Sequence, residues 1–265
     1  FPYTTLFRSM ANKLRISIKE NTALLTIDNP PANTWDLESL NFLEESVKDL
    51  NNNKEIFSLI ITGEGEKFFS AGADLKVFHE GGKDAAEKMT DAFSRAFGAL
   101  SNFRGFSVAA INGFAMGGGL ECALACDVRI AEEQSKLALP EPKVGLLPCG
   151  GGTQQLPRLV GEGWAKRIIL GGEQIKADLA LTIGLIEEMS APGESLKTAF
   201  ELVEKANMQS PTSVSACKKL IHEARTSKES YNNEKDPFIK LFDTKDQGEG
   251  VAAFLEKREP NWRNA

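Results

Sequence analysis

Gly117-Gly118-Gly119-Leu120-Glu121 stands between a strand-like run, Phe106-Ser-Val-Ala-Ala-Ile111, and the helical Cys122-Ala-Leu-Ala-Cys126. A helix that begins among glycines leaves its first backbone N–H groups unpaired, and a carbonyl oxygen can approach them because no Cβ intervenes. Gly118 and Glu121 are three residues apart on that helix and share a face, so a group polarised by the Gly118 amide lies near a carboxylate. The same triplet also suits a tight turn packed closely against a neighbour, with Glu121 in solvent. The rest of the chain has to decide between the two.

The chain has 265 residues with a net charge of −6, enough length for a sizeable core and an ordinary globular composition. The acidic balance argues against nonspecific binding to nucleic acid or to an anionic membrane surface, which call for a basic stripe. No stretch is long and apolar enough to span a bilayer as a helix. Cys122, Cys126, Cys149 and Cys217 do not form the pattern of a secreted disulfide framework, so a reduced, cytoplasmic setting is expected. Cys122 and Cys126 lie four apart on one helix, but the only histidines, His79 and His222, are remote in sequence, and no metal site is expected. Phe1 to Ser9 precede Met10 and read as an expression or translation scar, residues 1–9, set aside from the fold.

From Leu14, alternating residues to Lys19 and the run Ala23 to Ile27 read as a β-hairpin, ended by Asn29-Pro-Pro-Ala-Asn33. Leu37, Leu40, Leu43, Val47 and Leu50 make a helical stripe. Ser58 to Thr62 and Phe106 to Ile111 read as strands buried on both faces, with a loop from Gly63 to Asp74 and a helix over 85–100 between them. Asp127 to Ala131 and Lys136 to Leu139 are two more short strands. Strands separated by helices over residues 55 to 140 imply crossovers and a parallel sheet. After Gly151 the pattern is helical throughout: 152–156, 163–170, 177–183, 196–207, 212–225, 229–242 with a kink at Pro237, and 247–257. Ala191-Pro-Gly-Glu194 reads as a hinge before the last four helices, whose apolar stripes need a surface to cover.

A second acid stands out by context. Glu141 sits between Pro140 and Pro142 at the end of a strand, where its backbone has little freedom. Two carboxyl groups facing one substrate can activate water and deliver a proton, although Glu141 would equally serve as an exposed turn residue. Pro148-Cys-Gly-Gly-Gly-Thr153 lacks the Gly-Lys-Ser/Thr ending of a nucleotide-triphosphate loop, and no Gly-x-Ser-x-Gly elbow is present. Phe78, Met89 and Phe93, at helical spacing, suit either the core or the wall of a pocket.

Four segments, Phe69-Ser-Ala-Gly-Ala-Asp-Leu-Lys76, Asn112-Gly-Phe-Ala-Met-Gly-Gly-Gly-Leu-Glu121, Pro140-Glu141, and Gly150-Gly-Gly-Thr-Gln154 with Leu156-Pro-Arg-Leu159, resemble the enoyl-CoA hydratase branch of the crotonase superfamily. Their order and spacing match from about Leu14 to Val251–Lys257, nearly the whole chain. The resemblance implies an α/β fold: a crotonase-like ββα spiral core over 10–190 and a C-terminal helical trimerisation region over 191–265, assembling as a homotrimer or a hexamer. It implies that the amides of Ala73 and Gly118 form an oxyanion hole for a thioester carbonyl. Ala32, Ala73, Asp74, Leu75, Lys76 and Gly118 would bind the acyl-CoA, with Lys76 near its nucleotide and Ala32 in the loop that embraces the ligand. Glu121 would activate water for attack at Cβ and Glu141 would protonate Cα.

The expected reaction is reversible syn hydration of a trans-2-enoyl-CoA to a 3-hydroxyacyl-CoA. Coenzyme A is then part of the substrate, and no further cofactor is called for. The alternatives are a Δ3,Δ2-enoyl-CoA isomerase working through Glu141 alone, and a weakly active acyl-CoA-binding oligomer. The chain keeps both glutamates of the hydratase pattern and departs at Cys149, where the family commonly has glycine, which bears on water placement, rate and substrate range.

Overall fold

The computed structural model describes residues 4–7, 13–224 and 235–265. In chain order its elements are β1 (Thr4–Phe7), β2 (Leu14–Lys19), β3 (Thr22–Ile27), α1 (Leu37–Asn52), β4 (Ser58–Gly63), β5 (Phe68–Ser70) and α2 (Leu75–Ser101). Then come β6 (Phe106–Ile111), β7 (Phe114–Met116), α3 (Gly118–Leu124), β8 (Val128–Glu132), β9 (Lys136–Ala138), a 3-10 turn (Glu141–Val144) and α4 (Gly152–Ile169). β10 (Ile175–Lys176), α5 (Ala177–Thr182), β11 (Glu188–Ser190), α6 (Ser195–Asn207), α7 (Pro211–Glu223), α8 (Lys235–Leu241) and α9 (Lys245–Glu256) complete the chain.

Two sheets share these strands. The larger runs β1-β2-β3-β4-β6-β8-β11 and the smaller β10-β9-β7-β5. From β3 to β11 the large sheet is parallel, and β5, β7 and β9 are parallel in the small one. The unit β-β-α therefore repeats: β4, β6 and β8 enter the large sheet, and β5, β7 and β9 each turn the corner into the small one. α2 and α3 then return the chain for the next pair. This is the ββα spiral that the sequence led us to expect. Its consequence is that the ends of β5, β7 and β9 lie side by side, and the loops that follow them converge.

Alternation along the strands explains why the large sheet is covered twice. Leu25, Ile27, Leu59, Ile61, Ala109, Ile111 and Ala131 face the main core with the helices of the spiral. Leu24, Ile60, Val108, Ala110 and Ile130 face the opposite way, onto Ala199 and Val203 of α6. Each large aliphatic side chain buried in this manner is worth about 1.5–3 kcal/mol.

Several sequence expectations change. Thr4–Phe7, within the segment set aside as a scar, pairs antiparallel with β2, because an edge strand offers a free row of N–H and C=O groups. The loop from Gly63 to Asp74 contains β5, and the helix expected over 85–100 starts ten residues earlier, with a non-helical residue at Gly82. The helices expected over 152–156 and 163–170 are one run, α4, broken at Gly161. The region after Gly151 is not wholly helical: β10 and β11 close the two sheets. The first part of the helix expected over 229–242 lies outside the described residues, as does Arg225, while Pro237 sits in the first turn of α8, where a missing N–H breaks no bond. No helix of the described residues is long and apolar enough to cross a membrane.

Candidate active site

Two turns that follow neighbouring strands of the small sheet build one wall of the site. After β5, Gly72 turns at φ +87°, and after β7, Gly117 turns at φ +53°. A Cβ on Gly72 would stand 2.7 Å from the Met116 carbonyl oxygen and 3.0 Å from the Gly118 nitrogen, so the turns touch and only glycine fits. Trp35 fixes the first turn: its N–H donates to the Gly72 carbonyl at 2.8 Å and its own carbonyl accepts from Asp74 N–H at 3.1 Å. In this parallel bridge the groups of Gly72 and Asp74 point at Trp35, so the N–H of Ala73, between them, points to the other side of the strand. Gly118 is the first residue of α3, and its N–H has no acceptor within the helix.

Glu121 lies one turn into α3 and is 2% exposed. Its Oε1 accepts the N–H groups of Gly150 and Gly152, both at 2.8 Å. Burial pushes its carboxyl up, and the amides of Gly152, Gly150 and Cys149 hold it down. Glu141 opens the 3-10 turn after β9. Its Oε1 lies 3.1 Å from where a Cβ on Gly117 would stand, so the carboxyl rests on the second turn. Its Oε2 is buried with no hydrogen-bond partner among the described residues. Burial, and then the charge of Glu121, push Glu141 up to about 7, against its own amide. The two acids are thus electrostatically different although they are the same residue type.

A cavity of about 820 Å³ opens over these groups, lined by Ala73, Asp74, Leu75, Gly118, Glu121 and Glu141 among others. Two residues expected to touch the ligand lie outside that lining. The carbonyl of the half-buried Ala32 accepts from the N–H of Ala71, which does line the cavity, and Lys76 is exposed in the first turn of α2. Asp74 caps α2, its carboxylate accepting the Lys76 N–H at 3.1 Å. Phe93 is buried and also lines the cavity, whereas Met89 is core. The Phe78 side chain is outside the described residues.

Cys149 also lines the cavity. Burial and the charges of Glu121 and Glu141 push its thiol up to about 12, so it is a neutral, packed group rather than a nucleophile. The amides of Gly150 and Gly152 are the contribution that residue-type reasoning missed; the glycine run was visible, but its carboxylate partner was not. Among the described residues no group of three His, Cys, Asp or Glu side chains is placed to hold a metal ion.

Comparison with known proteins matches this geometry to a family. The enoyl-CoA hydratase/isomerase family model covers residues 17–265. The chain belongs to the enoyl-CoA hydratase/isomerase family. It is 36% identical to a short-chain-enoyl-CoA hydratase of Clostridium acetobutylicum, over 94% of this chain and 96% of that one. It is 35% identical to a crotonyl-CoA hydratase of Syntrophomonas wolfei, over 92% of this chain and 95% of that protein. Among solved structures, that of Pseudomonas aeruginosa DspI superposes with a TM-score of 0.94 at 53% identity, covering 97% of this chain and 99% of that one. The ββα spiral of this chain is the crotonase fold of its structural neighbours.

Proposed function

We propose that this chain catalyses the reversible syn hydration of a trans-2-enoyl-CoA to a 3-hydroxyacyl-CoA. The observation that carries the reading is the unequal pair of acids on one cavity wall: Glu121 held by backbone amides, Glu141 lifted to about 7 with an unpartnered oxygen. Hydration needs a base and an acid present together, and this pair supplies both near neutral pH.

The thioester oxygen would accept from the amides of Ala73 and Gly118. Glu121 takes a proton from water as the oxygen of that water bonds to Cβ. The Cα–Cβ π electrons move toward the carbonyl, and the enolate oxygen develops its charge against the two amides. Glu141 then gives its proton to Cα. Glu121 ends protonated and Glu141 ionised, which is the state that runs the elimination in reverse. Fixed amides aimed at a developing oxyanion are worth on the order of 3–4 kcal/mol each. Coenzyme A enters as part of the substrate: Asp74 and Leu75 line the cavity where its pantetheine would lie, Ala32 and Lys76, outside that lining, would meet it only beyond the cavity mouth, and the proposed steps use no other cofactor.

Sequence similarity to proteins named as hydratases supports this reading. The exposed apolar side chains Ile221, Phe238, Ile239, Val251 and Leu255 on α7, α8 and α9, with Phe242 just after α8, support assembly as a homotrimer or hexamer through 191–265. Four unpaired cysteines suit a reducing, cytoplasmic setting.

The test is loss of the conjugated-thioester absorbance of crotonyl-CoA, compared with Glu121→Gln and Glu141→Gln. Both variants are expected to lose at least about a hundredfold in kcat. Full activity in both would remove the mechanism. Conversion of a 3-enoyl-CoA by Glu121→Gln at the parent's rate would select double-bond isomerisation by Glu141 instead.

A further inference from the structure

The cavity is larger than the chemistry at its base requires. Beyond the glutamate pair it runs between two walls. One is a face of α2 carrying Ala86, Thr90 and Phe93 at helical spacing; the other is the end of the 3-10 turn and the segment after it, carrying Val144, Leu146 and Leu147. Phe93 closes the end beside the oxyanion amides, its ring 2.9 Å from where a Cβ on Gly118 would stand. The Thr90 hydroxyl donates to the Glu87 carbonyl, so the threonine offers no free donor to the channel. Val144 is 54% exposed and Leu147 67%, bare apolar surface at the edge of a site.

With the pantetheine arm given to Asp74 and Leu75, the apolar walls are left to the acyl group, and a butenoyl group, with one methyl beyond Cβ, covers little of them. Charged lining is confined to Asp74, Lys143 and the two glutamates. Asp74 is engaged as the cap of α2, and the Lys143 stem lies over Gly172, which does not line the cavity. We infer that the acyl group is an uncharged aliphatic chain of medium length, hexenoyl or longer, and that Ala86 and Leu147 on the two walls determine the length accepted. This rests on the hydratase reading and departs from the short-chain and crotonyl substrates in the names of the two relatives above.

Each methylene moved fully from water onto such walls raises kcat/KM about fourfold. The experiment is kcat/KM of the purified full chain with butenoyl-, hexenoyl- and octenoyl-CoA, together with calorimetric binding of butanoyl- and octanoyl-CoA. Octenoyl-CoA is expected to exceed butenoyl-CoA by at least about tenfold, less than full burial of every added methylene would give. Ala86→Phe, which fills the space between the walls, and Leu147→Ser, which sits at an exposed position and spares the core, are each expected to cut that ratio at least about fivefold. A parent that prefers butenoyl-CoA, or a ratio unmoved by both variants, overturns the inference. So does dissociation of an oligomer by Leu147→Ser with the ratio unchanged, which would make this edge a subunit contact. If no enoyl-CoA is hydrated the reaction assignment fails, and tighter binding of octanoyl- than butanoyl-CoA still upholds the channel while equal binding removes it.

Discussion

Glu141→Gln separates an electrostatic account of the site from a steric one. Burial and the charge of Glu121 lift the Glu141 carboxyl from 4.5 to about 7. The unfolded chain ionises this group near the lower value, so between the two the folded state holds the extra proton. The stabilising contribution of the raised group is complete below the unfolded value and is lost as pH rises through the folded one. At 1.36 kcal/mol per pKa unit the whole gap is worth roughly 3.4 kcal/mol, an upper bound because water partly screens the carboxyl; about 2 kcal/mol is the expected size. Glutamine is neutral at every pH. The variant is therefore expected to be about 2 kcal/mol more stable than the parent near pH 8.5, with most of that advantage gone near pH 4.5. Urea denaturation at one fixed protein concentration measures it, since assembly makes the midpoint depend on concentration. Any cost of placing the amide where Oε2 now lacks a partner is common to both conditions and cancels in the comparison. A gain that is the same at both pH values, or no gain at the higher one, refutes the reasoning. Stability and turnover move in opposite directions here, as expected of a site that holds a charge in poor surroundings.

Two further outcomes follow from the same contacts. A Cβ on Gly152 would stand 2.8 Å from Leu139 Cδ1 and 3.0 Å from Glu121 Oε1, so Gly152→Ala is expected to push the carboxylate off its amides, lowering kcat at least about tenfold and stability by about 1–3 kcal/mol; unchanged kcat in a fully folded variant contradicts the arrangement. Brief iodoacetamide treatment near neutral pH, read by peptide mass spectrometry, is expected to modify the exposed Cys217 well before Cys149, whose thiol is pushed up to about 12, and to spare the buried Cys122 and Cys126; rapid alkylation of Cys149 would show that the negative surroundings are not as described.

What the sequence disclosed depended on the length of each signal. β4 and β6 are six-residue strands with continuous apolar centres, Leu59–Ile61 and Val108–Ile111, whose alternating faces both meet core, so they were readable without a partner in view. β5, β7, β10 and β11 have two or three residues each, too short to show a period, and they exist because strands distant in sequence pair with them. They nonetheless bring the two turns together. Within the site, Gly118 and Glu121 were legible because a strand, a glycine run and a helix follow one another directly. Glu141 stands out by its flanking prolines, a context that equally suits an exposed turn residue, and its expected role comes from the family resemblance. The link between them was not, since the amides on Glu121 come from 29 and 31 residues further along the chain.

Under the proposed mechanism that link is what distinguishes the two acids. Both residues are glutamate, both are shielded from water, and burial alone would raise both and leave the proton free to sit on either. The Gly150 and Gly152 amides converge on one oxygen of Glu121, and a backbone N–H keeps its proton at any working pH and needs no reorganisation to stabilise an anion. Glu141 has one oxygen without a partner, so an added negative charge there is less well compensated, and the charge already on Glu121 opposes it further. Under the proposed mechanism the proton is therefore expected on Glu141 at rest, and the anion on Glu121, which would activate the water. An acid–base pair built in this way owes its asymmetry to the loop at 149–152 rather than to the residue type at either position. Moving that loop is then expected to disturb catalysis even with both glutamates intact.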